Sequence, residues 1–138
     1  MSGPGLKQLD SHAAIHEAAL NEAIELNNLL AALLKSGEEK KSLEVAYIAV
    51  EHWETRTLRH AEAEEKGLYK DLLKQSPKLK EEIIALTRDH NIMRHLVKEI
   101  KQLLGEKGFH EEVLEKFHAL VHVDAFHNEE EERILPHH

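Results

Sequence analysis

The sequence predicts an all-α fold, an antiparallel up-down-up-down four-helix bundle, on three observations. Ala, Leu, Glu, Lys and Ile dominate while aromatic residues make up only 4%, the vocabulary of helices rather than sheets. The 6 Gly and 3 Pro are sparse, and most of them fall where helices begin or end. Between them, apolar residues recur with the 3.6-residue period of an amphipathic helix. The length of 138 residues suits a single domain over 1–138, without linker or low-complexity tract.

The first helix is expected from about Leu6 to Lys35, stopped by Ser36-Gly37. The second runs from about Glu39 to Lys74, after which Ser76-Pro77 reads as an N-cap followed by Pro in the first helical turn. The third continues to Leu104 and ends at Gly105, with Gly108 closing the turn. The fourth runs from about Phe109 to Leu135 and stops at Pro136. Such short turns force consecutive helices to lie antiparallel.

Composition narrows the function. A net charge of -8 argues against nucleic acid as a partner, because phosphate binding needs a basic face. With no cysteine, disulfides and thiolate metal sites are excluded. The N-terminus lacks the basic and apolar regions of a signal peptide, and the longest apolar run, Leu29 to Leu34, is far short of a membrane span. A soluble, cytoplasmic protein without membrane association is expected.

The unusual residue is histidine, with 12 copies, of which His137 and His138 sit at the very end. On the second helix the apolar stripe through Leu43, Ala46, Val50, Trp53, Thr57, Leu68 and Leu72 contains His60 and Glu64, one turn apart. On the fourth, the stripe of Val113, Phe117, Leu120 and Ile134 contains His127 and Glu131, with His118 and His122 on the opposite side. On the third, Ile83, Leu86, Met93 and Val97 define the face, His90 sits at its margin and His95 points away. On the first, His12 and His16 both border the stripe of Leu9, Leu20, Ile24 and Leu34. Folding the helices about their turns places His16 level with His60, His90 between His60 and Glu64, and His127 about one turn from His90. His12 lies about a turn beyond, so His16 is preferred and His12 is its alternative. The remaining histidines, His52, His95, His110, His118 and His122, are expected to be solvated, as are the acidic runs around Glu62 and Glu129 apart from Glu64 and Glu131.

A His and a Glu at i and i+4 point the same way from a helix and can serve one ion or its neighbour. Ionised Glu64 and Glu131 in a core would each cost several kcal/mol unless cations compensate. Imidazole with carboxylate suits iron, and accepts manganese or zinc. Six donors, His16, His60, Glu64, His90, His127 and Glu131, do not saturate two six-coordinate ions. Bridging carboxylates and a bridging oxide, hydroxide or water would complete them and leave room for an exogenous ligand such as O₂.

Two stretches carry a family resemblance. His60-Ala-Glu-Ala-Glu64-Glu-Lys-Gly-Leu-Tyr69 and His127-Asn-Glu-Glu-Glu131-Glu-Arg-Ile-Leu-Pro136, together with Asp89-His90 and a first-helix His, resemble the hemerythrin family in its HHE cation-binding form. The resemblance spans nearly the whole chain and implies a four-helix bundle with a non-haem di-iron centre. Where oxygen-carrying hemerythrins have a second histidine on the third helix this chain has Arg94, and where some members have an acidic residue after the second-helix His it has Ala61. The chain therefore looks like the four-His, two-Glu members, with the ion nearer the third and fourth helices short of a protein ligand.

The reading that follows is a di-iron protein that binds O₂ or another small diatomic, for carriage, storage or sensing of O₂ or iron, rather than an enzyme. The alternative from another class is a di-iron enzyme acting on O₂, peroxide or nitric oxide. Ferritin-like oxidases use Glu-x-x-His pairs, and this chain offers only Glu115-x-x-His118, on an exposed face. A structural bundle without metal is the third possibility.

Overall fold

The structure, a computed structural model, describes the backbone of residues 4–135, with side chains from residue 12 onward. Helix α1 spans Pro4–Ser36 and α2 Glu39–His52. Residues Trp53–Leu58 then wind as a π-helix before α3, Arg59–Lys66, and α4, Leu68–Gln75. A 3₁₀ turn at Pro77–Leu79 leads into α5, Lys80–Lys107, and α6 follows at Glu111–Ile134. The segments from α2 to α4 form one arm, so four arms pack in sequence. α1 lies against α2 and α6, and α5 against α6 and α2. The described residues contain no strand, and none of their helices is long and apolar enough to cross a membrane.

The turns are built as their residues dictate. After α1 the N–H groups of Gly37 and Glu38 bond back to the carbonyls of Leu34 and Leu33, and Gly37 takes φ 75°, a conformation that costs any residue with a Cβ. Gly108 does the same work after α5 with φ 71°. Gly105 does not end α5; the helix runs through it to Lys107. Ser76 forms no side-chain cap, because Pro77 opens a 3₁₀ turn and α5 starts only at Lys80. The expected stop at Pro136 and the terminal His137 and His138 lie outside the described residues, as does the side chain of Leu9.

Two departures from the predicted helices bear on function. The second arm is not one continuous α-helix. Its π segment carries an extra residue into the turn, with the Arg59 N–H reaching back to the Glu54 carbonyl, and such turns re-aim all that follows. Gly67 breaks the arm again, and Tyr69 rather than Leu68 faces inward, at 2% exposure. On α1 the inner face is not the predicted Leu20, Ile24 and Leu34. It is Ala19, Ala23, Asn27, Leu30 and Leu33, while Ile24 is exposed. Small residues let α1 approach the π segment closely, where Trp53 is buried. Continued toward the N-terminus, this face passes through both His16 and His12.

The apolar core forms two clusters. The larger gathers Leu30, Trp53, Met93, Val97, Phe117 and Leu120, and the smaller gathers Tyr69, Leu72, Ile83, Leu86 and Leu135. Between them, on every arm, sits a polar layer. Truncating Phe117, which is fully buried, removes a large side chain from the main cluster. Phe117→Ala should lower the unfolding free energy by about 3–5 kcal/mol in urea denaturation, while His118→Ala next to it, on the exposed face, should change it by less than about 0.5 kcal/mol.

Candidate metal centre

The layer between the clusters brings His12 and His16 from α1, His60 and Glu64 from α3, His90 from α5, and His127 and Glu131 from α6 into one place. Two donor groups form within it. His12, His16, His60 and Glu64 present ligand atoms within 4.8 Å of one another, and so do Glu64, His90, His127 and Glu131. Glu64 belongs to both.

Both carboxylates span the layer. Glu64 Oε2 lies 2.8 Å from His12 Nε2 and 3.5 Å from His16 Nε2, while Oε1 lies 3.3 Å from His90 Nε2. Glu131 Oε1 lies 2.6 Å from His12 Nε2, and Oε2 3.4 Å from His127 Nε2. Each carboxylate thus turns one oxygen to the α1 side and the other to the α5–α6 side. Both are nearly inaccessible, at 4% and 1% exposure. Glu64 Oε2 has no hydrogen-bond partner of good geometry despite the close approach of His12.

The structure brings both α1 histidines into the layer, where the sequence preferred His16 with His12 as its alternative. His12 is not a turn beyond the site; it makes the shortest imidazole contacts to both carboxylates, and His16 lies beside it with ring centroids 4.3 Å apart. The inner face of Ala19 and Ala23 explains this, since it makes both histidines central instead of marginal. His90, expected at the margin of its helix, is buried at 1%. His60 is the most open of the five, with 28% of its side chain exposed. His95, His118 and His122 are exposed as expected. His52 is not: its Nε2 sits 2.9 Å from the Ala19 carbonyl and its side chain is only 9% exposed. It fills the gap beside the small face of α1. His110, at the start of α6, is half-buried.

An outer shell, which the sequence reading missed, orients the imidazoles. His90 Nδ1 donates to Glu65 Oε2 at 2.6 Å, and Arg94 holds the same oxygen at 3.0 Å. His127 Nδ1 donates to Asp89 Oδ2 at 3.0 Å. Glu65 was expected to be solvated with its acidic run, but it is tied to His90 and Arg94. The Tyr69 hydroxyl donates to Glu131 Oε2 at 2.5 Å, and its ring stacks on His90 with centroids 5.6 Å apart. Asp89 and Tyr69 had a readable signal, one beside His90 and one a turn after Glu64 and Glu65. Glu65 and Arg94 had none, because their partnership crosses from α3 to α5.

These bonds determine where lone pairs point. A carboxylate only accepts, so the Nδ1 atoms of His90 and His127 carry the protons and their Nε2 atoms face inward. Those two Nε2 atoms are 3.0 Å apart, with Glu64 Oε1 and Glu131 Oε2 close by. Four acceptors converge there, an arrangement that an added cation relieves. In the metal-free layer protons play that part unevenly. Burial opposes charge on His12, but its hydrogen bonds to Glu131 and Glu64 prevail and raise its pKa to about 9. Burial pushes His16 down to about 4, against the pull of Glu131 and Glu64, and the neighbouring His12 adds to the effect. Burial likewise lowers His60. Burial works against His127 too, yet Glu131 and Asp89 hold it above its ordinary value. Burial works to raise Glu131, but bonds from His12, His127 and Tyr69 bring it far below the usual carboxylate range. Tyr69 is raised strongly, by burial first and then by the charges of Glu131 and Glu64.

On the side of the larger cluster the layer borders a cavity of ≈ 10 Å³ whose lining includes His60, His90, His127 and Asp124, with Arg56 and Thr57. Asp124 is 4% exposed, and burial raises its pKa to about 7. The sequence reading did not name it, although the α6 series Phe117, Leu120, Asp124, His127, Glu131 has the spacing of one inward face.

The family model described as hemerythrin HHE cation binding domain matches residues 8–136. No curated protein and no solved structure gave a significant match. The short bond from Tyr69 compensates one oxygen of a buried carboxylate, so Tyr69→Phe should destabilise the metal-free protein by about 1–3 kcal/mol in urea denaturation, without loss of helicity by circular dichroism.

Proposed function

Because the chain belongs to the hemerythrin HHE cation-binding family, we propose that it is a non-haem di-iron protein that binds O₂ or another small diatomic in the bundle interior. The observation that carries this reading is the convergence of the inward Nε2 atoms of His90 and His127, 3.0 Å apart, with carboxylate oxygens of Glu64 and Glu131. Acceptors at that spacing in a buried layer repel one another unless a proton or a cation lies among them, and one multivalent cation can serve all four at once. Histidines whose second nitrogen is fixed by a carboxylate are the usual form of metal-ligating imidazole.

One ion would be held by His12, His16 and His60, the other by His90 and His127, with Glu64 and Glu131 shared between them. The expected six donors thus become seven. Arg94 leaves α5 with one histidine, and α1 supplies two, so the shortage on the α5–α6 side stands while the α1 side is better furnished. When bound, iron supplies the redox-active centre at which O₂ is held. The chain's own residues do the rest. Glu65 and Asp89 hold the imidazoles in one tautomer and orientation, the two apolar clusters keep bulk water out, and Tyr69 fixes Glu131. A histidine-rich donor set carries less negative charge than a carboxylate-rich one, which favours binding of a ligand over oxidation of a substrate.

The test is metal analysis with absorption spectra before and after air exposure. About two irons per chain are expected, with near-ultraviolet charge-transfer bands in the oxidised form. His60→Ala and Glu131→Ala should sharply reduce the iron content, whereas His95→Ala and His118→Ala should not. Equal iron in all four variants would remove the ligand assignment, and sustained consumption of O₂, peroxide or nitric oxide by the reduced protein would replace binding with catalysis. Asp89→Ala, outside the donor set, should weaken iron binding by about 10–100-fold in a competition titration with a chelator, and unchanged affinity would show that the His127 bond is dispensable.

A further inference from the structure

We propose that Asp124 is a ligand-contacting residue: it hydrogen-bonds a small ligand held in the cavity beside the His/Glu layer and makes that cavity selective for ligands able to hydrogen-bond. The inference rests on the metal-centre reading above and adds a residue to it that lies outside both donor groups.

Three observations support it. Asp124 is 4% exposed, yet among the described residues it has no hydrogen-bond or ion-pair partner. An unpartnered polar group in a core weakens the fold, so its presence calls for a partner that the chain itself does not supply. The cavity it lines with His60, His90 and His127 has a volume of ≈ 10 Å³, about the room one water-sized ligand needs. The cavity also lies between the donor layer and the larger apolar cluster, with Met93 and Ala19 on its walls. Beyond the donor layer a ligand entering it meets Arg56, Thr57 and Asp124; Arg56 is exposed and already paired with Glu22, whereas Asp124 is the buried acid of the three.

Position on α6 points the same way. Leu120, Asp124 and His127 occupy successive inward positions, so Asp124 takes the place where an apolar residue would continue the core. A wholly apolar wall would admit any small molecule by size alone. A carboxyl group there donates its O–H to a water-sized ligand that accepts one, such as fluoride or water, and gives nothing to a ligand that cannot accept.

Fluoride binding to the iron-loaded, oxidised protein at pH 6, where the Asp124 carboxyl keeps its proton, tests this, followed by absorption titration and paired with iron analysis of each preparation. Asp124→Asn keeps a donor and an acceptor in the same volume, whereas Asp124→Ala removes both and enlarges the cavity, so steric exclusion cannot account for a loss. With iron content unchanged, fluoride affinity should fall about tenfold in Asp124→Ala and stay within about threefold in Asp124→Asn, the weight of one hydrogen bond. Unchanged or tighter fluoride binding by Asp124→Ala at full iron content would overturn the role of Asp124 and leave the metal centre standing. Loss of iron from either variant would overturn it as well, by making Asp124 a support of the metal site. A wild-type chain that takes up no iron would remove both readings together.

Discussion

Two carboxylates buried in the middle of a helical bundle are the constraint around which this molecule is arranged. Glu64 and Glu131 each direct their two oxygens to opposite halves of one layer, and five imidazoles surround them. An apolar core of the same volume would fold more readily, since taking charges out of water costs more than their mutual attraction usually returns. The layer is therefore expensive for the fold. The apolar clusters above and below it, anchored by Trp53 and Phe117 on one side and by Leu72 and Leu86 on the other, supply the stability that makes it tolerable. They also set its chemistry, because charges held between dry walls interact more strongly than they would in water.

The arms differ in how they deliver their donors, and the differences are physical. α5 and α6 are long unbroken helices and place His90 and His127 so that each ring has a carboxylate behind it, Glu65 for one and Asp89 for the other. The second arm is broken twice, by the π segment before His60 and at Gly67 before Tyr69. Departures of this kind cost backbone regularity and are found where side chains must be aimed for something other than packing. On α1 the aim comes from small residues. Ala19 and Ala23 bring the helix close, and His52 seals the gap by reaching the Ala19 carbonyl. Arg94 stands where the sequence comparison led one to look for a histidine, and it holds Glu65, which in turn holds His90. The residue at that position thus supports His90 through Glu65, while α1 brings two imidazoles, His12 and His16, to the layer.

The sequence by itself determined the helical class, the four arms, their antiparallel order and the two His-x-x-x-Glu pairs, because these follow from local periodicity and from where Gly and Pro interrupt it. His60, Glu64, His127 and Glu131 were legible as a set for that reason. Only the tertiary structure decided the rest. Whether His12 or His16 faces inward depends on which side of α1 meets its neighbours, and small alanines outranked the larger Leu20 and Ile24 because closeness of approach, not side-chain size, selected the face. The π turn and the break at Gly67 shift the register of an arm in a way that a constant 3.6-residue period does not represent. The bonds of Glu65 to His90 and of Asp89 to His127 join helices, and a spacing rule within one helix carries no information about a partner on another.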